Sequence, residues 1–209
     1  MRIKITDMGK NKKTLWVVLS VVGIVVIALL WGIGVRNKLV MGEENVTQAW
    51  AQVENVYKRR ADLIPQLVST VQGAANYEKG TLSEVVEARA KAGSVQVDAN
   101  NLTEANVAQF QRAQDQLSSA LTRSMNIVVE RYPELTATAG FRDLQVQLEG
   151  TENRIATERG RFNETVNVYN KQLRVFPNNI VAGICGLEKK GYFTAPEGSD
   201  EPVEVKFDF

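Results

Sequence analysis

A run of 22 residues without a charge, Thr14–Val35, constrains this chain more than any other feature. Because a charged side chain in hydrocarbon is costly, a run of this length is typical of a membrane-spanning helix. At about 1.5 Å per residue it covers roughly 33 Å, enough to cross a bilayer. We assign the membrane anchor to this run, with Leu15 at its start and Trp16 and Trp31 near its two ends, where indole rings favour the interface.

The charges on either side of the run indicate its orientation. Residues 1–13 form a basic tail with five basic residues and one aspartate, and only Arg36 and Lys38 follow closely after the run. Since basic segments resist translocation, we expect the tail in the cytoplasm and the domain on the other side of the membrane. A cleaved signal peptide is the alternative, but its apolar region usually has about 7–15 residues and ends in small residues of A-x-A type, a pattern that IALLWGIGV does not offer.

Composition narrows the possible chemistry. The chain has no histidine and one cysteine, Cys185, so an intramolecular disulfide and the common zinc and histidine-dependent sites are excluded. Twenty basic and 23 acidic residues follow the run, which argues against a nucleic-acid-binding surface. We therefore expect no cofactor, no metal, no nucleic-acid partner and no enzymatic activity. We expect the Cys185 thiol, in an apolar segment, to be packed and inert.

Apolar residues at steps of three and four predict three long helices after the run. They extend from Gly42 to about Tyr77, from Thr103 to Tyr132, and from Phe141 to Phe176. Pro65 should kink the first helix without ending it. Whether this helix is continuous with the membrane run stays open. Long rods with short connections predict an all-α fold, an elongated antiparallel bundle over residues 36–178.

The stripe of the last helix is interrupted by polar pairs at Thr151–Glu152 and Glu158–Arg159. One interpretation is a helix that packs along one partner, with polar pairs closing the core at those levels. The other is a polar layer that fixes the register of the helices or receives a partner.

Residues 179–209 form a C-terminal segment that we expect to pack on the bundle or on a neighbouring subunit. In the tail, residues 203–209 alternate apolar and charged side chains, which predicts a strand. A lone strand is unstable in water and needs a partner, such as Gly191–Thr194 in a hairpin or another chain. Phe207 and Phe209 are therefore candidate interaction residues. Capture of the terminus by a PDZ-type groove is an alternative role.

The densest charge cluster of the domain is Lys58, Arg59 and Arg60, followed by Asp62. One interpretation is a solvated helix face whose bases pair with acids such as Glu152 on the last helix. The other is a docking site for an acidic partner.

Glu149 and Glu152 offer two carboxylates three residues apart, a spacing that could serve acid–base or metal chemistry. Bundle di-iron sites also need histidine, which the chain lacks. We therefore expect Gly150 to permit a close helix approach, with Glu152 or Arg154 paired across it.

Several stretches together resemble the LemA family. They are Gln48–Val53, Lys58–Pro65, Ala88–Lys91, Tyr132-Pro133, Leu148–Ile155, Tyr169-Asn170 and Phe176–Ile180. The resemblance covers nearly the whole chain. It implies a bacterial single-pass protein of the cytoplasmic (inner) membrane with a bundle of long helices, and it implies no catalytic residues.

The leading functional hypothesis is a non-enzymatic, membrane-anchored helical scaffold that binds protein. We expect it to form a homo-oligomer in the bacterial envelope through its long helices and strand-like tail. The alternative is an adaptor that presents its rod or tail to a membrane protease or another envelope complex. A third hypothesis, a carboxylate-based hydrolase, requires Glu149 or Glu152 to face an open pocket.

Overall fold

The computed structural model describes the backbone of residues 8–73 and 82–195, with side chains from Leu15 onward. Every regular element in these ranges is a helix, which confirms the all-α prediction. The helices are α1 (Met8–Gln72), α2 (Ser83–Ser94), α3 (Glu104–Arg131), α4 (Pro133–Thr136), α5 (Ala139–Arg174) and α6 (Asn178–Cys185). The strand predicted at 203–209 lies outside the described residues.

Helix α1 is unbroken for 65 residues and joins the apolar run to the bundle. Gly32, Gly34 and Gly42 do not interrupt it, and it continues through Pro65. The large apolar side chains between Leu15 and Ile33 are 44–70% exposed. This is the one helix of the described ranges that is long and apolar enough to cross a membrane.

The bundle is built on α1 and α5, which run antiparallel. The Tyr169 ring lies against Gly42, where an added Cβ would come within 3.2 Å of the ring. Farther along, Arg60 of α1 contacts Glu152 of α5. Helix α3 lies alongside with its Phe110 against Trp50, and α2 packs antiparallel to α3, with Glu84 paired to Arg123.

The predicted helix boundaries have local causes. The hydroxyl of Thr103 accepts a hydrogen bond from Asn106 N and begins α3, as the sequence indicated. Thr138 caps α5 in the same way through Phe141 N. Pro133 follows directly after the end of α3 and begins the single turn α4.

The core consists of two apolar clusters at successive levels of the bundle. The proximal core, nearer the apolar run, centres on Trp50 and Phe162, and the distal core centres on Leu67 and Phe141. Helix α2 covers the distal core only. Beside the proximal core its place is taken by residues 95–103 and by an extended segment, residues 187–195, which we call the strap.

Candidate functional site

A buried arginine lies at the level between the two cores. Arg60 is 1% exposed, and its guanidinium joins three helices. Nη1 donates to Glu152 Oε1 on α5 at 2.8 Å and to the Ser118 hydroxyl on α3. Nη2 donates to the side-chain and backbone oxygens of Gln114 at 2.7 and 3.1 Å. We call Arg60, Gln114, Ser118 and Glu152 the polar layer.

Burial also affects the tyrosine one turn before the polar layer. Tyr57 packs edge-on against Phe110, and the Arg60 guanidinium lies 5.1 Å from the centre of its ring. Desolvation raises the pKa of Tyr57, although the positive charges of Arg159 and Arg60 act in the opposite direction. The phenol therefore stays neutral at physiological pH.

The polar layer corrects one interpretation of the basic cluster. Arg60 does not belong to a solvated face, because it occupies a position on the buried side of α1, between Tyr57 and Leu63. Lys58, Arg59 and Asp62 are exposed, and Arg59 donates to Gln147 Oε1 at 3.2 Å. One member of the cluster therefore binds the helices together and three members face solvent.

The second polar interruption, at Glu158–Arg159, also contacts other elements of the bundle. Arg159 lies 3.6 Å from Asp115 Oδ1 on α3, and its guanidinium stacks 4.9 Å from the centre of the Phe193 ring. It also donates to Thr194 O at 2.9 Å. This level therefore joins α3 and α5 to the strap.

Three side-chain amides hold the strap by pairing with its backbone as another strand would. Asn170 accepts from Lys190 N and donates to Lys190 O, at 3.0 and 2.9 Å. Asn163 makes the same pair of bonds with Phe193, at 2.9 and 2.8 Å, and Gln111 makes it with Thr194, at 3.0 and 2.9 Å. Paired donors and acceptors satisfy the buried backbone without a sheet.

Side chains of the strap complete the proximal core. The Phe193 ring stacks on Trp50 at 5.9 Å and meets Phe162 edge-on at 5.4 Å. Lys190 is buried and pairs with Glu43 of α1 at 2.6 Å. Gly191 N donates to Leu102 O, and a Cβ at Gly191 would lie 2.6 Å from the backbone of Glu104, so a larger residue cannot fit there.

The strap does not offer the free edge that the tail was expected to pair with. Gly191–Thr194 is extended, but the N–H groups of Gly191, Phe193 and Thr194 are already bonded within the bundle. A further strand could not pair with Gly191–Thr194 through these donors while they keep their present bonds. The predicted pairing of the tail concerns residues outside the described ranges.

Pro65 leaves a carbonyl of α1 without its helical donor, and α2 supplies one. Proline has no N–H, so the oxygen of Ala61 loses its bond from position 65. Arg89 Nε donates to Ala61 O at 2.9 Å. The interruption in α1 is thus satisfied by a side chain of a neighbouring helix, which fixes where α2 docks.

The other predicted residues stay apart from this network. Glu149 and Arg154 are exposed, and Glu149 accepts a bond from Gln145 one turn earlier. Gly150 is not a point of close approach, because an added Cβ there would meet nothing within 4 Å. Cys185 is exposed and not packed, contrary to expectation. Phe207 and Phe209 lie outside the described residues.

Two open grooves mark the described surface. One, of about 780 Å³, lies between α2 and α3 and ends at Thr194 and Ala195. Its walls carry both signs of charge, including Glu84, Lys91 and Arg112. The other, of about 380 Å³, lies between α1 and α5 near the apolar run and includes Gly34, Met41 and Val168 among its walls. The described residues contain no group of three acidic, cysteine or histidine side chains able to hold a metal.

Reasoning from the sequence missed the amides that hold the strap. Asn163 and Asn170 are seven residues apart, directly beside the stripe residues Phe162 and Tyr169. Polar residues repeated at that spacing beside an apolar seam indicate a second contact surface on the helix. Gln111 carries no such signal, because it is one of three polar residues, with Arg112 and Gln114, in the turn after Phe110.

Comparison with known proteins places this architecture in a family. The model described as the LemA family matches residues 49–207, which include the polar layer and the whole strap. The chain belongs to the LemA family. The match confirms the resemblance noted in the sequence.

The relatives of this LemA-family protein include one named LemA and several named MamQ. Protein LemA of Metamycoplasma hominis is 23% identical over 165 residues, which are 79% of this chain and 71% of that protein. Magnetosome protein MamQ 2 of Paramagnetospirillum magneticum is 33% identical over 85 residues, 41% of this chain and 31% of that protein. Magnetosome protein MamQ of Magnetospirillum gryphiswaldense is 32% identical over a stretch of the same length. The match thus spans about a third of the MamQ proteins' length.

Proposed function

We propose that this protein is a non-enzymatic, membrane-anchored scaffold whose rigid helical bundle binds protein and self-associates in the bacterial envelope. The observation that carries the proposal is the continuity of α1. One helix contains the apolar run and also supplies the wall of both cores, from Leu39 to Val71. A bundle joined in this way cannot turn freely relative to its anchor. It therefore holds its surfaces at a fixed height and direction above the bilayer.

The disposition of the carboxylates favours a structural role over the hydrolase hypothesis. Glu152 is paired with the buried Arg60, so its charge serves the polar layer. Glu149 lies on the exposed face of α5, outside the walls of both grooves. A general acid or base needs a substrate position within hydrogen-bonding reach, and neither carboxylate offers one.

Self-association is supported by the surface of α1 and α5 nearest the membrane. The groove there is lined by two glycines and by apolar side chains as well as by polar ones, and Met41 and Val168 are 68% and 57% exposed. Small residues let a second helix approach closely, and exposed apolar side chains gain from being covered. A second copy of the chain in the same membrane would present the same face.

The test is the mass of the detergent-solubilised full-length protein, measured by light scattering. We expect one discrete species larger than a monomer. The variant Met41→Glu/Val168→Glu, which places charges in the groove, should shift it to the monomer. The matched control Val129→Glu/Val146→Glu alters two exposed valines outside both grooves and should leave the mass unchanged. A monomeric wild type would overturn self-association.

A second test concerns the tail. Replacing Phe207 and Phe209 with serine removes two apolar side chains from one face of the alternating segment, so assembly should weaken. A control chain with residues 203–209 permuted, so that composition is kept and alternation lost, should weaken assembly as well. An unchanged mass in both would count against a role for the tail.

The adaptor hypothesis is the second candidate, and it is favoured by the charged groove where the described part of the chain ends. Membrane pull-downs with and without residues 203–209 distinguish the two. An adaptor loses a partner of another kind, whereas a scaffold loses copies of itself.

The orientation is likewise a proposal. Five basic residues before the apolar run against two after it support a cytoplasmic N-terminus and a domain on the non-cytoplasmic side of the inner membrane. Protease added to intact spheroplasts should then degrade the domain. Protection of the domain until the membrane is opened would reverse the orientation.

A further inference from the structure

The end of α5 and helix α6 present apolar side chains that nothing in the described chain covers. Val175, Phe176, Ile180 and Ile184 are 56%, 76%, 53% and 81% exposed. We call these four residues the basal patch. Residues 175–187 contain no charge at all, which is unusual for a surface segment of a chain in which 23% of residues are charged.

The contacts of α1 with α5 and the strap fix the height of this patch. Tyr169 lies beside Gly42 and Glu152 beside Arg60, so the two helices run in step, and Arg174, the last residue of α5, lies at about the level of Lys38. The contacts of the strap with α1 independently place the end of α5 and α6 close to the apolar run. Lys190 pairs with Glu43, and the strap then rises to Trp50, so the residues before it lie closer to the apolar run.

Helix α6 therefore packs at the point where α1 enters the apolar run. Its buried residue Ala182 belongs to the same core cluster as Leu39, and Val35, the last residue of the run, packs against that cluster. Gly186, with a φ of 67°, ends α6 in a left-handed turn that leads Leu187 back into the bundle. The patch thus lies at the boundary of the hydrocarbon, beside the anchor.

The charges around this level match a lipid surface. The side chains of Arg36, Lys38, Lys171, Arg174 and Lys189 are exposed there, against two exposed acids nearby, Glu188 and Glu44. Basic residues next to a membrane are attracted to its anionic headgroups. An uncharged apolar patch surrounded mainly by basic side chains is typical of an element that lies in the plane of the membrane–water interface.

We infer that the basal patch is a second membrane contact: α6 and the turn before it lie partly embedded in the leaflet from which α1 emerges. The occupant is the lipid surface and not another copy, because the patch lies at the level where the exposed apolar surface of α1 ends. The inference rests on the membrane anchoring in the proposed function. It adds that the bundle stands on two points, which resists tilting about α1.

Cys185 is the chain's single cysteine and is exposed next to Ile184, so it can carry a reporter. The full-length protein, labelled there with an environment-sensitive fluorophore, is reconstituted at high dilution in vesicles of phosphatidylcholine and phosphatidylglycerol. Lipids carrying a nitroxide near the headgroup then quench any label within the interface. Two control labels use Cys185→Ser with Ile33→Cys at the end of the apolar run nearer the bundle, or with Val146→Cys on the distal part of α5.

We expect quenching at Cys185 several-fold stronger than at Val146→Cys. The substitution Ile184→Glu should reduce it towards the Val146→Cys value, and Val146→Glu should leave it unchanged. Weak quenching at Cys185 with strong quenching at Ile33→Cys would overturn the inference while leaving the anchor intact. Weak quenching at both would remove the anchor itself. The fluorophore emission at Cys185 could instead report an apolar environment that changes with the protein-to-lipid ratio and is not quenched by the nitroxide. That result would assign the patch to a second copy and would also overturn the inference.

Discussion

At position 60 an apolar side chain would continue the stripe that Tyr57 and Leu63 form on α1. Arginine stands there instead, and Gln114, Ser118 and Glu152 provide its partners on two other helices. A buried charge is tolerated only when paired and hydrogen-bonded. Because these partners meet at one level only, any shift of α1 along α3 or α5 would leave the guanidinium unpaired. The polar layer therefore fixes the register of the bundle.

The first prediction at this scale compares two adjacent arginines. Arg60→Ala should lower the free energy of unfolding by about 3 kcal/mol, since it removes a buried group and leaves Gln114 and Glu152 without a donor. Arg59→Ala, at an exposed neighbour, should cost about 0.5 kcal/mol or less. Denaturant unfolding of the full-length protein in detergent, followed by circular dichroism, measures both. Equal losses would mean that burial of Arg60 contributes nothing.

Tyr169 gives a pH-dependent prediction. Burial and the nearby Glu43 carboxylate raise its pKa from 10.0 to about 12. Below pH 10 the phenol is neutral in both states. Between pH 10 and 12 it ionises only when the chain unfolds, so stability falls as pH rises through this window. In Tyr169→Phe this fall should be smaller. A fall as steep as that of the wild type, in melts taken from pH 9 to 11.5, would contradict it.

At the scale of the helices, the main elements could be predicted from the sequence, because each long helix buries one face and so shows a regular apolar stripe. The apolar periodicity predicted α3, α5 and the bundle part of α1, and Pro65 did not end its helix. The burial of Arg60 escaped prediction because a charged residue inside a basic cluster resembles a solvent-exposed one. Its partners lie 54 to 92 residues away and share no local pattern with it.

The pairing of the strap with side-chain amides escaped prediction for a related reason. Its backbone bonds go to side chains of Gln111, Asn163 and Asn170, and no turn residue or alternation in 187–195 announces such a pairing. The sequence did indicate the ion pair of the polar layer, because Glu152 was a predicted partner of the basic cluster that contains Arg60. The amides became visible only once the helices were assembled.

The pairing of Pro65 with Arg89 can be tested as a cycle. Arg89→Met should cost about 1 kcal/mol, because it leaves the Ala61 carbonyl without a donor. In a Pro65→Ala background the helix provides its own N–H, so the same change should cost less than half as much. The coupling is obtained from the unfolding free energies of the four proteins. Additive effects would mean that the two helices dock without this bond.

The amide clamp gives a second test of an element. Asn163→Asp keeps an acceptor for Phe193 N but faces Phe193 O with a second acceptor, so the strap should loosen at a cost of about 2 kcal/mol. Hydrogen exchange should then speed up at the amides of Phe193 and Thr194. The control Asn153→Asp, on the exposed face of α5, should not change it. Unaltered exchange in Asn163→Asp would show that the strap is held by Phe193 packing alone.

Seen as a whole, the molecule is a rod whose long axis follows α1. About 55 Å of that helix lies between Arg36 and Gln72, at 1.5 Å per residue. If the basal patch meets the leaflet from which the unbroken α1 emerges, as we propose, the bundle should stand upright on the membrane.

Neutron reflectometry on a supported bilayer should therefore show a protein layer about 55 Å thick outside the headgroups. The variant Asn37→Pro/Lys38→Gly alters two exposed residues of α1 and breaks its helix, so its layer should be thinner. A wild-type layer near the width of two packed helices, about 20 Å, would mean that the rod lies flat.

The position of Phe193 also has a consequence for how the protein is made. Trp50 leaves the ribosome 143 residues before the ring that stacks on it, which at about 5–20 residues per second is a delay on the order of 10 s. The apolar run is synthesised earlier still, so the anchor enters the membrane while half of the proximal core does not yet exist. During that interval the nascent helix is tethered beside the bilayer with its aromatic face uncovered. Biogenesis of this protein should therefore depend on whatever shields unfinished helices at the membrane surface.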